Sequence, residues 1–157
     1  MTTLASWLST LLVTILAVAH LTTPSSTEFS GNIKLYRDIR HRHILVMLEF
    51  TKANRCFNMA CGDYNDAVSS VKWSGLPTSG AKSVVAFYVD TDCKGRSKKF
   101  STSLGTVASF DDEEINDAIS SFMVLESSEE IENGVTSLCS LETTTFDNSS
   151  YTIARNR

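Results

Sequence analysis

Asn65-Asp66-Ala67-Val68-Ser69-Ser70 returns fifty-one residues later as Asn116-Asp117-Ala118-Ile119-Ser120-Ser121. Each copy places a carboxamide, a carboxylate and two hydroxyls within six positions. Repetition at a fixed interval is the mark of one supersecondary unit used twice. Side chains that donate oxygen are what a hard cation such as calcium selects, so calcium is the leading ligand for these two segments.

Working outward from the hexapeptides, a second correspondence appears at an offset of fifty-two: Ile33-Lys34-Leu35-Tyr36-Arg37-Asp38 against Val85-Ala86-Phe87-Tyr88-Val89-Asp90. Each half reads apolar-x-apolar-Tyr-x-Asp, then a hairpin, then Asn-Asp-Ala-x-Ser-Ser. From Tyr to Asn the interval is 29 residues in the first half and 28 in the second, so the halves agree in phase. Between them, Ser74-Gly75-Leu76-Pro77-Thr78-Ser79-Gly80 breaks any regular element and serves as the connector. Short runs with strand-like alternation predict strands over Ile33–Tyr36, Ile44–Phe50, Val68–Trp73, Val84–Val89, Lys98–Thr102 and Ile119–Leu125, and no long helical period appears. Val46-Met47-Leu48 is apolar on both faces, which places its strand centrally in a sheet. A four-stranded motif of about forty residues cannot bury its apolar face alone, and two packed face to face make an antiparallel sandwich. Trp73, Phe87 and Phe122, spaced as strand residues, are expected in its core.

These paired patterns resemble the βγ-crystallin superfamily over residues 32 to 126. Its members carry an aromatic hairpin, Tyr-x-Asp/Glu-x-x-aromatic-x-Gly, followed by Asn/Asp-Asn/Asp-x-x-Ser/Thr-Ser. Tyr88-Val89-Asp90-Thr91-Asp92-Cys93-Lys94-Gly95 fits with Cys93 at the aromatic position and Gly95 where positive φ is needed. The first half has His41 and His43 at those two places. The resemblance implies an all-β fold of two Greek-key motifs and, as in calcium-binding microbial members, two related calcium sites that each draw on both halves. Asp66 and Asp117 would supply charged oxygens, Ser69 and Ser120 hydroxyls, and main-chain oxygens near Asn65, Asn116, Asp38 and Asp90 would complete the shells. Asn, Asp and Ser also make turns through side-chain to backbone bonds, which is the competing account of the same loops.

The remaining sequence bounds the context. The 157 residues suit one domain, and 42% hydrophobic content suits a folded one. Residues 1–19 read as a secretory signal, with an uncharged apolar run from Leu11 to Ala19 that ends in Ala17-Val18-Ala19. An uncleaved membrane anchor is the alternative, against which the run is shorter than the ~20 residues that span a bilayer, and no later segment is expected to span. Residues 20–31 read as a flexible leader, 32–75 and 82–126 as the two motifs, and 127–157 as a polar tail, partly ordered at best, that carries the sequon Asn148-Ser149-Ser150. Four cysteines after the signal imply two disulfides in an oxidising compartment. Of three pairings, nearness in sequence favours Cys56 with Cys61, which leaves Cys93 for Cys139. A net charge of −4 argues against nucleic acid as a partner. The one basic cluster, Arg37, Arg40, His41, Arg42 and His43, reads as an exposed hairpin tip, with a phosphate or lipid patch as the alternative.

No nucleophile elbow, zinc-protease helix or phosphate loop is present, so no catalysis is expected. His41 and His43 could share a zinc ion with a carboxylate, against the simpler reading of two imidazoles on a turn. The expected protein is a secreted, non-enzymatic calcium-binding module. The alternative is a secreted effector, antimicrobial toxin or inhibitor of the same fold, acting on a host or competitor protein or surface without calcium.

Overall fold

A computed structural model describes residues 29–78, 83–126 and 128–139, and the backbone of 151–154. The signal segment and the sequon lie outside these residues. Among the described residues ten strands form two five-stranded sheets: β1 (Gly31–Asp38), β2 (Arg42–Phe50), β3 (Cys56–Asn58), β4 (Ser70–Ser74), β5 (Val84–Tyr88), β6 (Ser97–Ser101), β7 (Thr106–Val107), β8 (Ser121–Leu125), β9 (Val135–Ser137) and β10 (Tyr151–Ala154). The first sheet runs β10-β2-β1-β4-β7 and the second β6-β5-β8-β3-β9.

This order is that of two interlocked Greek keys. The first key is β1 to β4, but β3 leaves its own sheet to pair with β8. The second is β5 to β8, and β7 crosses in the opposite sense to pair with β4. Each half therefore completes the other's sheet. The registers repeat: Tyr36 lies opposite Ser70 across β1 and β4, and Tyr88 opposite Ser121 across β5 and β8. All pairings are antiparallel except β3 with β9. The sandwich of two Greek keys expected from the sequence is the fold observed.

Alternation along the strands builds the core. Ile33 and Leu35 of β1, Val46, Leu48 and Phe50 of β2, and Val71 and Trp73 of β4 meet Val85, Phe87, Phe122 and Val124 from the second sheet. At its centre Phe57 stacks on Phe122 with ring centroids 5.1 Å apart, and Phe87 meets Phe110 edge-on at 5.0 Å. Such offset and edge contacts add to the burial of the rings themselves. Trp73, Phe87 and Phe122 all belong to this core, and the Trp73 indole N–H donates to the Thr102 carbonyl at 2.7 Å. A second apolar cluster, Cys56, Ala86, Tyr88, Met123 and Leu125, forms on the other face of the second sheet. That is why β8 is buried at every position.

Several expectations need revision. Phe29, placed in the leader, packs edge-on against Phe50, so the fold begins before Asn32. Residues after 126, expected as a tail, supply β9 and the buried Leu138, and β10 adds to β2. Leu138 lies in a stretch rich in Ser and Thr, with no strand-like alternation to betray it. β2 has neighbours on both sides, although β1 holds the centre of the sheet. The cysteines pair differently from expectation: Cys56 with Cys93, and Cys61 with Cys139, each at a Cα separation of 5.9 Å. Nearness in sequence misled because Cys56 travels with β3 into the second sheet, beside the β5–β6 hairpin. Among the described residues no helix is long and apolar enough to cross a membrane.

Candidate functional site

The two hairpins that follow β1 and β5 share one backbone path. Arg40, His41 and His43 have φ of 56°, 60° and 50°, and the equivalent Asp92, Cys93 and Gly95 have 57°, 53° and 75°. Gly95 suits its place on a second count, because a Cβ there would lie 2.3 Å from Asp90 Oδ2. At the matching position of the first hairpin, His43 instead turns its Nδ1 to Asp38 Oδ2 at 2.5 Å. The side chain that replaces the absent glycine thus gains a local partner for its strained backbone.

Each hairpin is held against the third strand of the other half. Arg40 N–H donates to the Ala108 carbonyl at 2.7 Å, and His41 Nε2 pairs with Thr106 Oγ1 at 2.8 Å. Because the Thr106 hydroxyl proton goes to the Val71 carbonyl, the imidazole N–H is the donor. Burial, with Lys72 adding a like charge, lowers the pKa of His41 below 6.5. On the other side, Cys93 is bonded to Cys56 of β3, and Asn58 makes a reciprocal pair with Asp92, with both bonds at 2.8 Å. Covalent and imidazole anchors therefore occupy equivalent places. The His41 and His43 rings are engaged separately, by Thr106 and Asp38, which does not favour a shared zinc ion.

The hexapeptide loops meet the hairpins through their serines. Ser69 N–H donates to the Tyr36 carbonyl at 2.9 Å, and Ser120 N–H to the Tyr88 carbonyl at 3.0 Å. The fully buried Ser70 donates to the Asp38 carbonyl at 2.5 Å and accepts from His41 N–H at 3.0 Å. Its counterpart Ser121 donates to the Asp90 carbonyl at 2.6 Å and accepts from Cys93 N–H at 3.1 Å. The role of this last serine as a hairpin anchor was not legible in the sequence. It is the more constant half of the motif, since its contacts match pair by pair.

The other serine crosses between halves. Ser69 Oγ donates to Asp117 Oδ1 at 3.1 Å, and Ser120 Oγ donates to Asn65 Oδ1 at 2.9 Å. Within each loop the carboxamide steadies the carboxylate: Asn65 Nδ2 donates to Asp66 Oδ2 at 2.7 Å, and Asn116 Nδ2 to Asp117 Oδ2 at 3.0 Å. Asp66 and Asp117 sit at positive φ, 52° and 48°, the tight turn that aims carboxamide and carboxylate the same way. Asp38, Asp66, Ser69 and Asp117 line one cavity of about 590 Å³, together with Arg37 and Arg42, which the sequence reading did not assign to it. Asn65, Asn116 and Ser120 lie beside it by the contacts above. Asp90 belongs to the second hairpin, where its carbonyl is taken by Ser121.

The donor set admits a simple test of fit. Because Ser69 turns to Asp117 rather than to Asn116, the Asn116 Oδ1 is left out of water with no hydrogen-bond donor. Such an acceptor is costly unless a donor or cation meets it. Among the described residues no three Asp, Glu, His or Cys side chains converge. Any metal here would take hydroxyl, carboxamide and carbonyl oxygens alongside one or two carboxylates, a shell that suits calcium.

No protein-family model matches the chain, and no curated protein matches it. A solved structure described as "Evolution of the eye lens beta-gamma-crystallin domain fold" is similar at 22% identity and a TM-score of 0.45, covering 68% of this chain and 96% of that one. The Greek-key assignment rests on strand order and register instead.

Proposed function

We propose that this protein is a secreted, non-enzymatic calcium-binding module whose two sites lie between the hexapeptide loops. The observation that carries the reading is the reciprocal crossing of Ser69 to Asp117 and Ser120 to Asn65, beside an Asn116 oxygen with no donor. Asp117, Asn116 and Ser69 would hold one ion with Asp66 across the cavity, and Asp66, Asn65 and Ser120 the other. Main-chain oxygens near Asp38 and Asp90 would complete the shells. Calcium would neutralise the loop carboxylates and tie the two Greek keys together. Few charged ligands imply affinity on the order of micromolar to millimolar, sufficient where calcium is high. Secretion is supported by the signal-like residues 1–19 and by four cysteines that are all disulfide-bonded.

Calorimetric titration of the mature chain with calcium tests this. Heat is expected, with a rise in melting temperature that reflects about 1.4 kcal/mol at ten times Kd. Both signals should vanish in the double variant Asp66→Ala, Asp117→Ala. An absence of heat and an unchanged melting temperature at about 10 mM calcium would refute the reading, since that exceeds the weakest extracellular sites. Target binding or toxicity that persists in EDTA and in the double variant would favour a calcium-independent effector.

A further inference from the structure

Two arginines stand in the cavity where a cation is proposed. Arg37 and Arg42 are exposed and line it with Asp66 and Asp117. Arg37 donates to the Asp63 carbonyl at 3.3 Å, and neither guanidinium takes part in an ion pair with a described carboxylate. Asp38, the remaining carboxylate of the lining, faces His43. Two guanidinium charges offset two of the three lining carboxylates, so a divalent ion would leave one positive charge in excess. Like charges lining one cavity weaken a cation site, and a chain of net charge −4 has no general need of arginines there. An anion resolves the conflict.

We infer that the cavity takes a phosphate-type oxyanion together with calcium: Arg37 and Arg42 hold the oxyanion by charge-assisted hydrogen bonds while the ion held by Asp66, Asp117 and Ser69 meets it from the loop side. Planar guanidinium groups suit phosphate oxygens. The inference rests on the calcium reading above. Ile39 also lines the cavity and is 37% exposed at the hairpin tip, next to Arg40, whose side chain is exposed as well. An apolar residue flanked by arginines suits a phosphate presented on a lipid surface. A soluble phosphate ester offers the same headgroup chemistry.

Because linkage is reciprocal, each ligand must tighten the other by the same factor. Titrations of the intact mature chain with calcium, with and without glycerol phosphate, and with glycerol phosphate, with and without calcium, should give matching gains of about tenfold, a coupling in the usual range. The variant Arg37→Gln, Arg42→Gln changes two exposed side chains, and its circular dichroism and melting should match the parent. It should bind calcium alone as tightly as the parent or more so, and lose the gain from glycerol phosphate. Calcium heat that glycerol phosphate leaves unchanged overturns this inference and spares the calcium reading. A gain retained in the arginine variant overturns it too. Calcium heat in neither condition refutes the calcium reading and takes this inference with it. Sedimentation with phosphatidylcholine vesicles containing phosphatidylglycerol, in calcium but not EDTA, would assign the phosphate to lipid. Coupling without sedimentation would assign it to a soluble ester.

Discussion

Removal of the Cys56–Cys93 bond by the double substitution Cys56→Ala, Cys93→Ala tests the architecture most directly, because that bond joins the strand exchanged by the first key to the hairpin of the second. The two cysteines are 37 residues apart, and closing a loop of that size in the unfolded chain is worth about 4 kcal/mol in the chain-entropy treatment. Measured losses for native disulfides run about 2–5 kcal/mol, so a fall in melting temperature of roughly 10–25 °C is expected for a domain near 100 residues. The reciprocal Asn58–Asp92 pair remains and would limit how far the hairpin opens. Urea unfolding can be followed by Trp73, which is buried and is the one tryptophan beyond residue 19. A loss below about 1 kcal/mol would refute the loop-closure reasoning. Non-reducing trypsin digestion checks the pairing itself. Residues 56–72 should stay linked to both 83–94 and 100–155, and cleavage at the methionines, Met59 and Met123, should then leave Cys56 with 83–94 and Cys61 with 124–155. Release of 56–72 on its own would show the pairing to be wrong.

Ser121→Ala strips the Asp90 carbonyl and Cys93 N–H of a buried partner and should cost about 1–3 kcal/mol, with Ser70→Ala costing the same within about 1 kcal/mol. Denaturation midpoints that differ widely between the two would contradict the matched anchoring. Phe122→Ala empties the centre of the ring cluster and should cost about 3–5 kcal/mol in urea unfolding. His41 has a lowered pKa in the fold, so between that value and 6.5 the unfolded chain binds the more protons. Stability should therefore fall as pH drops through about 6.5 and level off below the folded value, where both states are protonated. Urea midpoints measured across that range should lose this step in His41→Gln; a step that survives would place the titration elsewhere.

How far the sequence reaches depends on how local each cause is. Six strands were legible because alternation along β1, β2, β4, β5, β6 and β8 is a property of neighbouring residues. The observed β4 and β8 begin at Ser70 and Ser121, two residues later than the apolar pattern begins, because each hexapeptide must first turn through a left-handed aspartate. β3 and β7, three and two residues long, carry no period at all, since cross-strand pairing alone makes them strands. The loop residues of the candidate site were visible as a repeat. The Arg37 and Arg42 side chains were visible only as a charge cluster, because nothing in sequence spacing says that a hairpin tip will lie beside Asp117.

By itself, the sequence determined that the chain is built of two like halves, that Trp73, Phe87 and Phe122 face the core, and which oxygens gather in each loop, because periodicity and repetition are written in adjacent residues. Only the tertiary structure decided that the halves exchange their third strands, that Cys56 meets Cys93 and Cys61 meets Cys139, and that Ser69 and Ser120 reach to the opposite half. Those contacts join residues 34 to 78 positions apart, brought together by the packing of one apolar sheet face on another. The repeated hexapeptide names the donors, and the sandwich determines which of them share a site.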